Sequence, residues 1–309
     1  MKILILGAGG IGGYFGAQLL RSGADVSFLV RERRRAAIAA QGLRIESPHG
    51  DFTVHPTLVT AADARPVYDL VLLSPKAYDL DDALASLEGA LGAAALLPFL
   101  NGLDHLEQLD RRYGRERVLG GVAQIAATLT AEGVVRQMSP LHSLTVGARD
   151  PAHAALARAF IAACAKAPFD SLLSEDITQA LWDKWTFLAT LAGMTTVCRG
   201  SIGEIVATAH GRALAERMYA ECLAVAAASG QPVGEAARQR ALGLLTAVGS
   251  PFTASMLRDL EAGQRTEHEH ILGAMAARGQ ALGLPMDLVR LAYTPLAIRA
   301  ARAAAAPVA

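Results

Sequence analysis

The sequence predicts an α/β protein, with a doubly wound parallel sheet in its N-terminal part and an all-helical C-terminal part. Three observations carry this. The chain opens MKILILGAGGIGGYFGAQLL, with five glycines between positions 7 and 13, where an apolar run hands over to an amphipathic one. Strand-like runs then alternate with helix-like segments as far as Tyr113, as in β-α-β units. After Asp150 only helical texture remains, interrupted at Pro168, Gly230-Gln231-Pro232, Pro251 and Gly283-Leu284-Pro285.

The first element expected is a strand over Lys2–Leu6, followed by a helix over Ile11–Arg21. Glycine weakens either element by roughly 0.5–1 kcal/mol relative to alanine, so the cluster between them needs a cause. Gly7, Gly9 and Gly12 fit G-x-G-x-x-G at a strand-to-helix junction. There the first glycine makes the tight turn, the second admits a pyrophosphate to the backbone, and the third lets helix pack on strand. The helix N-terminus adds free N–H groups and partial positive charge. Gly7, Gly9, Gly10, Ile11 and Gly12 are therefore the expected dinucleotide site of a Rossmann-like domain.

Further strands are expected at Asp25–Val30, Asp69–Leu73 and Ala94–Phe99, each followed by a helix (Arg33–Ala40, Leu80–Leu91, Leu103–Tyr113). Leu43–Val59 reads as a short hairpin or meander turning at Pro48-His49-Gly50. Val118–Ala126, Val134–Met138 and Leu144–Gly147 leave no room for helices between them and are expected as antiparallel additions to the sheet. The remaining helices are expected at Ala152–Ala165, Glu175–Leu191, Ile202–Ser229, Val233–Val248, Thr266–Leu282 and Met286–Ala301. The division is placed at Pro168: residues 1–168 as an NADP-binding domain, 169–309 as a helical substrate and catalytic domain. The alanine-rich end, Ala303–Ala309, is expected to fray.

Bulk properties narrow the function. A chain of 309 residues suggests two domains, and 52% hydrophobic residues argue against global disorder. Lys and Arg (29) balance Asp and Glu (29), and no basic stripe with interleaved aromatics occurs, which argues against nucleic acid. Cys164, Cys198 and Cys222 lack metal-ligand spacing, so neither a disulfide framework nor a metal is expected, and a reducing cytoplasm is. No apolar run reaches the ~18 residues of a membrane span, and the glycines interrupt any signal-peptide core.

The residue closing the second strand of such a domain reads the adenosine ribose. In DVSFLVRERRR that residue is Arg31, whose guanidinium suits the 2′-phosphate of NADP(H) rather than the 2′-hydroxyl of NAD. An FAD-binding fold would want an acid there. Glu32 would repel a 2′-phosphate if turned inward. Arg33, Arg34 and Arg35 read as a solvated helix start.

Lys76 in SPKAYD and Asn101 in PFLNG fall just past expected strands, on the rim where a cofactor lies; each is otherwise an ordinary turn residue. Lys184 falls within the apolar stripe Ile177, Leu181, Leu188, Leu191 of its helix. Either its stem snorkels with the ammonium in water, or the ammonium enters a cleft where desolvation makes it a better proton donor. A reductase needs such a donor for the oxygen that gains charge as hydride reaches a carbonyl carbon. Thr266 and Glu269 match a capping box, which puts Glu267 in a first helical turn, either complementing the dipole or partnering the lysine. His268 and His270, two apart, cannot share a metal from one helix face.

The motifs GAGGIG at 7–12, Arg31, PKAYD around Lys76, LNG around Asn101, ALWDKW around Lys184 and SMLRDLEAGQRTE from Ser255 to Glu267 together resemble the ketopantoate reductase (2-dehydropantoate 2-reductase) family over nearly the whole chain. That resemblance implies NADPH-dependent reduction of 2-dehydropantoate to (R)-pantoate, on the route to pantothenate and coenzyme A. It implies NADPH binding at Gly7, Gly9, Gly12 and Arg31. Lys76 and Asn101 would lie along cofactor and substrate, and Lys184 would be the general acid. Glu267 would hold the substrate hydroxyl or the lysine, and Ser255 would meet substrate. The chain departs from the family pattern at Leu188 and Ala192, where asparagines one and two turns after the lysine touch substrate, and at Leu100, often glutamine. Loss of two amides predicts intact hydride chemistry with an altered or looser preference, for a 2-oxo acid or related carbonyl compound with a more apolar body. The competing readings are a non-catalytic NADP(H)-binding regulator and a dehydrogenase working toward hydroxy-acid oxidation. A small-molecule 2-oxo acid is the expected partner, and a homodimer is compatible with this reading.

Overall fold

The computed structural model of the protein describes residues 1–305. The chain divides into two compact units: Met1–Leu100 with His105–Thr178, and Asn101–Asp104 with the chain from Gln179 onward. As far as Leu173 the order is β1 (Lys2–Leu6), α1 (Gly10–Arg21), β2 (Asp25–Leu29), α2 (Glu32–Gln41), β3 (Leu43–Glu46), β4 (Phe52–Val54), β5 (Thr57–Val59), β6 (Leu70–Leu73), α3 (Leu80–Leu91), β7 (Ala95–Pro98), α4 (Asp104–Tyr113), β8 (Gly120–Leu129), β9 (Val135–Gly147), α5 (Ala154–Cys164) and β10 (Asp170–Leu173).

The first unit is built on a parallel sheet in the order β5-β2-β1-β6-β7. Ile3–Leu6 and Leu70–Leu73 are apolar at every position and buried throughout, as strands covered on both faces must be. The chain leaves β1 toward β2 on one side and reaches β6 on the other, so the sheet reverses direction of winding at β1 and β6. Their carboxyl ends pair at Leu6 and Leu73, and such a switch point is where open α/β sheets hold ligands.

The later strands do not extend this sheet, contrary to the sequence expectation. They build a second sheet in the order β10-β9-β3-β4, with β8 antiparallel to β9. Val134–Met138 and Leu144–Gly147 belong to one long strand, β9. Its ladder with β8 slips between Ile125 and Ala127, opposite Pro140, which lacks the N–H to continue the ladder. The cause of the second sheet is burial: Val135, Leu144 and Val146 pack with Tyr14, Phe15 and Phe160 of α1 and α5, each phenyl ring contributing roughly 1.5–3 kcal/mol when buried. β10, a mostly exposed edge strand parallel to β9, carries no alternation that sequence reading could find. Through β10 the first unit continues past Pro168.

The rest is helical: α6 (Ile177–Cys198), α7 (Ile202–Val206), α8 (Gly211–Ala228), α9 (Glu235–Leu245), α10 (Ser255–Glu261), α11 (Ala274–Ala281) and α12 (Asp287–Ala305). The single helix expected over Ile202–Ser229 is two, and α10 is a helix that the sequence reading omitted. The capping box expected at Thr266 and Glu269 does not form. Thr266 Oγ1 instead bonds His268 Nδ1 at 2.9 Å, and a five-residue π-turn, Glu269–Gly273, precedes α11. A true capping box starts α7, where the Ser201 N–H donates to Glu204 Oε2 (2.7 Å) and the Glu204 N–H to Ser201 Oγ. Ala303, Ala304 and Ala305 continue α12 rather than fraying; residues 306–309 lie outside the described residues. Among those described, no helix is long and apolar enough to cross a membrane.

Candidate functional site

The first unit presents its site through backbone. Gly7 has φ +89, which an L side chain rarely adopts, and its N–H donates to Leu29 O at 2.9 Å. A Cβ on Gly12 would lie 2.9 Å from both Gly7 O and Ile5 Cγ2 and would strike Ser74 Oγ, so only glycine lets α1 sit this low on β1. At Gly9, by contrast, no atom lies within 4 Å of where a Cβ would be. The backbone is open to approach there. The first helical bond of α1 runs from Gly13 N to Gly9 O and no side chain caps the helix, so the amides of Gly10, Ile11 and Gly12 have no helical acceptor. Free amides beside an open face fit the pyrophosphate of a nicotinamide dinucleotide.

Arg31 and Lys76 follow the carboxyl ends of β2 and β6, the two strands that pair with β1. Arg31 follows the buried end of β2, is exposed, and pairs with no other described residue. Glu32 is turned away to solvent, its carboxylate 3.8 Å from Arg35. Lys76 is half-buried and leads a single 3-10 turn, Ala77–Asp79, after β6. Arg34 corrects the reading of a solvated basic run. It is half-buried, its Nη1 donates to Gly133 O (2.9 Å) and its Nη2 to Ala8 O (3.3 Å), and burial holds its guanidinium below the usual arginine value.

The second unit presents its site through side chains. Lys184 lies on α6, and Glu267, only 5% exposed, lies just before the helical stretch that begins at His268, its carbonyl accepting from Ile271 N at 3.1 Å. Glu267 thus precedes the helix rather than decorating its first turn. Burial lowers the Lys184 ammonium to about 8, and the charge of Glu267 opposes the fall. A lysine whose head stays in water would not be lowered so. Asn101 Nδ2 donates to Glu267 Oε2 at 3.3 Å, so Asn101, Glu267 and Lys184 form one polar group. Trp185, fully buried, donates its indole N–H to Ile271 O at 3.1 Å. It ties α6 to the π-turn, where the wider helical step leaves carbonyls seeking donors. Sequence reading missed this tie; its only signal was a tryptophan beside the lysine.

Leu188, half-buried, follows Lys184 by one turn, and Ala192, wholly buried, by two. Past Lys184, the α6 threonines Thr186, Thr190, Thr195 and Thr196 do not stand in for these amides: each donates to a carbonyl of its own helix (2.6–3.0 Å). Ser255 opens α10, half-buried, with no side-chain hydrogen bond to a described residue. No group of three or more His, Cys, Asp or Glu side chains among the described residues could hold a metal.

Two family models match the chain: "Ketopantoate reductase PanE/ApbA" over residues 3–151 and "Ketopantoate reductase PanE/ApbA C terminal" over 176–299. An uncharacterized oxidoreductase, YkpB, of Bacillus subtilis is 32% identical over 96% of this chain and 98% of its own length. A 2-dehydropantoate 2-reductase of Halobacterium salinarum is 28% identical over 94% of this chain and 99% of its own. The crystal structure of a 2-dehydropantoate 2-reductase from Geobacter metallireducens superposes with a TM-score of 0.86 at 28% identity, covering 96% of this chain and 99% of that one.

Proposed function

Because the chain belongs to the ketopantoate reductase family, an oxidoreductase family, we propose that it reduces a 2-oxo acid to a 2-hydroxy acid with NADPH, 2-dehydropantoate being the default substrate. The observation that carries the reading is the half-buried Lys184 grouped with the buried Glu267 carboxylate, on which the Asn101 amide sits at 3.3 Å. The open glycine loop, whose Gly10, Ile11 and Gly12 amides lack a helical acceptor, supports a dinucleotide, and Arg31, whose guanidinium pairs with no described residue, supports a 2′-phosphate on it.

NADPH, when bound, supplies the hydride. The protein residues then have separate tasks. The amides of Gly10, Ile11 and Gly12 hold the pyrophosphate, with Lys76 along the same rim. Lys184 stabilises negative charge on the carbonyl oxygen and donates the proton that completes the hydroxyl. A pKa near 8 keeps that proton present at neutral pH yet transferable. Glu267 holds the lysine charged, and Asn101 orients the carboxylate. Ser255 has a hydroxyl to spend on substrate.

One observation favours a second reading of the substrate. Leu188 and Ala192 are apolar on the lysine side of α6, and the four threonine hydroxyls that follow Lys184 donate to backbone. A helix face without those two amides cannot reward a polar substrate body, so a 2-oxo acid or related carbonyl compound with a more apolar body is the alternative. NADPH oxidation measured with 2-dehydropantoate and a panel of 2-oxo acids decides. A strong, exclusive preference for 2-dehydropantoate defeats the alternative, and no turnover of any 2-oxo acid in a preparation that binds NADPH leaves a non-catalytic binder.

A further inference from the structure

We propose that Arg34 is a positioning residue for the dinucleotide loop: by bridging the carbonyls of Ala8 and Gly133 it fastens the glycine loop to the β8–β9 turn and holds the loop amides ready for phosphate. The inference rests on the cofactor reading above and concerns how the free protein prepares that site.

The geometry lies within the first unit. Nη1 reaches Gly133 O at 2.9 Å and Nη2 reaches Ala8 O at 3.3 Å. Ala8 sits between Gly7 and Gly9, in the segment whose backbone must face the pyrophosphate. Gly133 belongs to a closed turn, with Gly133 N bonded to Thr130 O (3.0 Å) and Thr130 N to Val134 O (2.8 Å). The hairpin also lies flush on the first turn of α1. A Cβ on Gly10 would come 2.8 Å from Ala127 O, and one on Gly13 2.8 Å from Val135 Cγ2. Loop and hairpin are thus packed edge to edge, and Arg34 is the charged tie across them.

The chemistry of the tie is unusual for a purely structural contact. The guanidinium is half-buried, has no carboxylate partner among the described residues, and its Nε is buried without an acceptor. A desolvated cation satisfied only by carbonyl dipoles is costly. The same charge becomes favourable when an anion binds the neighbouring loop. The fork geometry of arginine, unlike an ammonium, can grip two carbonyls at once. A loop held in its binding conformation before the ligand arrives loses less entropy on binding.

Arg31, the N-cap of α2, and Arg34, in its first turn, stand one turn apart, and their roles separate by cofactor. A 2′-phosphate ligand affects NADPH alone. A positioning residue for the pyrophosphate loop affects NADPH and NADH alike. The experiment is to measure Kd for both dinucleotides by fluorescence titration of wild type, Arg34→Gln and Arg34→Lys, with hydrogen exchange of the Ala8–Gly13 amides in the free proteins. Arg34→Gln is expected to raise both Kd values by a similar factor, about tenfold, and to speed loop exchange. Arg34→Lys, which keeps the charge but loses the fork, is expected to raise both by less. Unchanged Kd values, even with a lowered Tm, overturn the proposal, because the tie is then only structural. A loss confined to NADPH overturns it by making Arg34 a 2′-phosphate ligand. Should Arg34→Gln not fold, Arg34→Lys decides by the same criteria. A wild-type protein that binds neither dinucleotide overturns the cofactor reading and this inference with it; a wild type that binds while both variants bind equally well overturns this inference alone.

Discussion

Between Leu6 and Gly13 the chain makes a binding surface out of backbone; around Lys184 it makes one out of side chains. The glycine loop is contiguous, and its parts differ only in which glycine is twisted, which is crowded and which is open. The lysine group is gathered from far apart. Asn101 and Glu267 are 166 residues distant in sequence, Trp185 and Ile271 are 86. A backbone site takes its binding groups from a few adjacent residues, and distant ones such as Arg34 and the β8–β9 turn only brace it. A side-chain site has ordinary backbone geometry but depends on every long-range contact that brings its members together.

If the two regions divide binding from proton transfer, the largest effect is at Lys184. Lys184→Ala is expected to lower kcat for reduction by about 10³-fold while NADPH binding, followed by fluorescence, stays unchanged. A parallel loss of NADPH affinity would erase the division.

The pH dependence refines the same contrast. Reduction needs the protonated lysine, so kcat should be level below about pH 8 and fall about tenfold per pH unit above it. Hydroxy-acid oxidation needs the neutral lysine and should rise through the same region. Glu267→Gln removes the charge that opposes the fall in pKa, so both limbs should move to lower pH. Linkage gives a sign for stability as well. Because folding depresses the Lys184 pKa, the unfolded chain holds more protons between about 8 and the ordinary lysine value. Its contribution to stability therefore rises with pH across that window and is absent in Lys184→Met. Urea denaturation at several pH values measures this.

Arg31→Ala tests the binding side. It should weaken NADPH by about tenfold and leave NADH unchanged, read as two Kd values; equal losses would place Arg31 outside 2′-phosphate recognition. The smallest effect is expected at Trp185→Phe, which keeps a ring but leaves the Ile271 carbonyl without its donor. Equilibrium unfolding should show a loss of about 1 kcal/mol with NADPH affinity intact.

The two regions were not equally readable. The strand, turn and helix of the dinucleotide loop follow from glycine spacing and apolar runs, and β1, β2, β6 and β7 fall within a residue of their expected ends, whereas β5, expected within the Leu43–Val59 hairpin or meander, pairs parallel with β2. The second sheet was misassigned because Pro140 splits β9 and because short strands show which face they bury, not which sheet they join. Arg34 looked like one more exposed charge in Arg33-Arg34-Arg35, since no local pattern marks a side chain that reaches Ala8 and Gly133. At Thr266 and Glu269 a sound capping pattern lost to a competing bond, Thr266 to His268, and to the bond between Tyr293 and Glu269 at 2.6 Å. Lys184 stood out from periodicity, but whether its ammonium lay in water or among protein atoms did not.

The amino-acid order alone determined where glycine had to be, which segments were strand or helix in the first hundred residues, and which cation sits in an apolar stripe. Those are properties of a few neighbouring residues, governed by backbone sterics and by periods of two and 3.6. Tertiary structure decided the partition into two sheets, the carbonyl-bound state of Arg34 and the meeting of Asn101, Glu267 and Lys184. Each of these depends on burial and on polar groups competing for partners many residues away, energies that exist only once the chain has closed on itself.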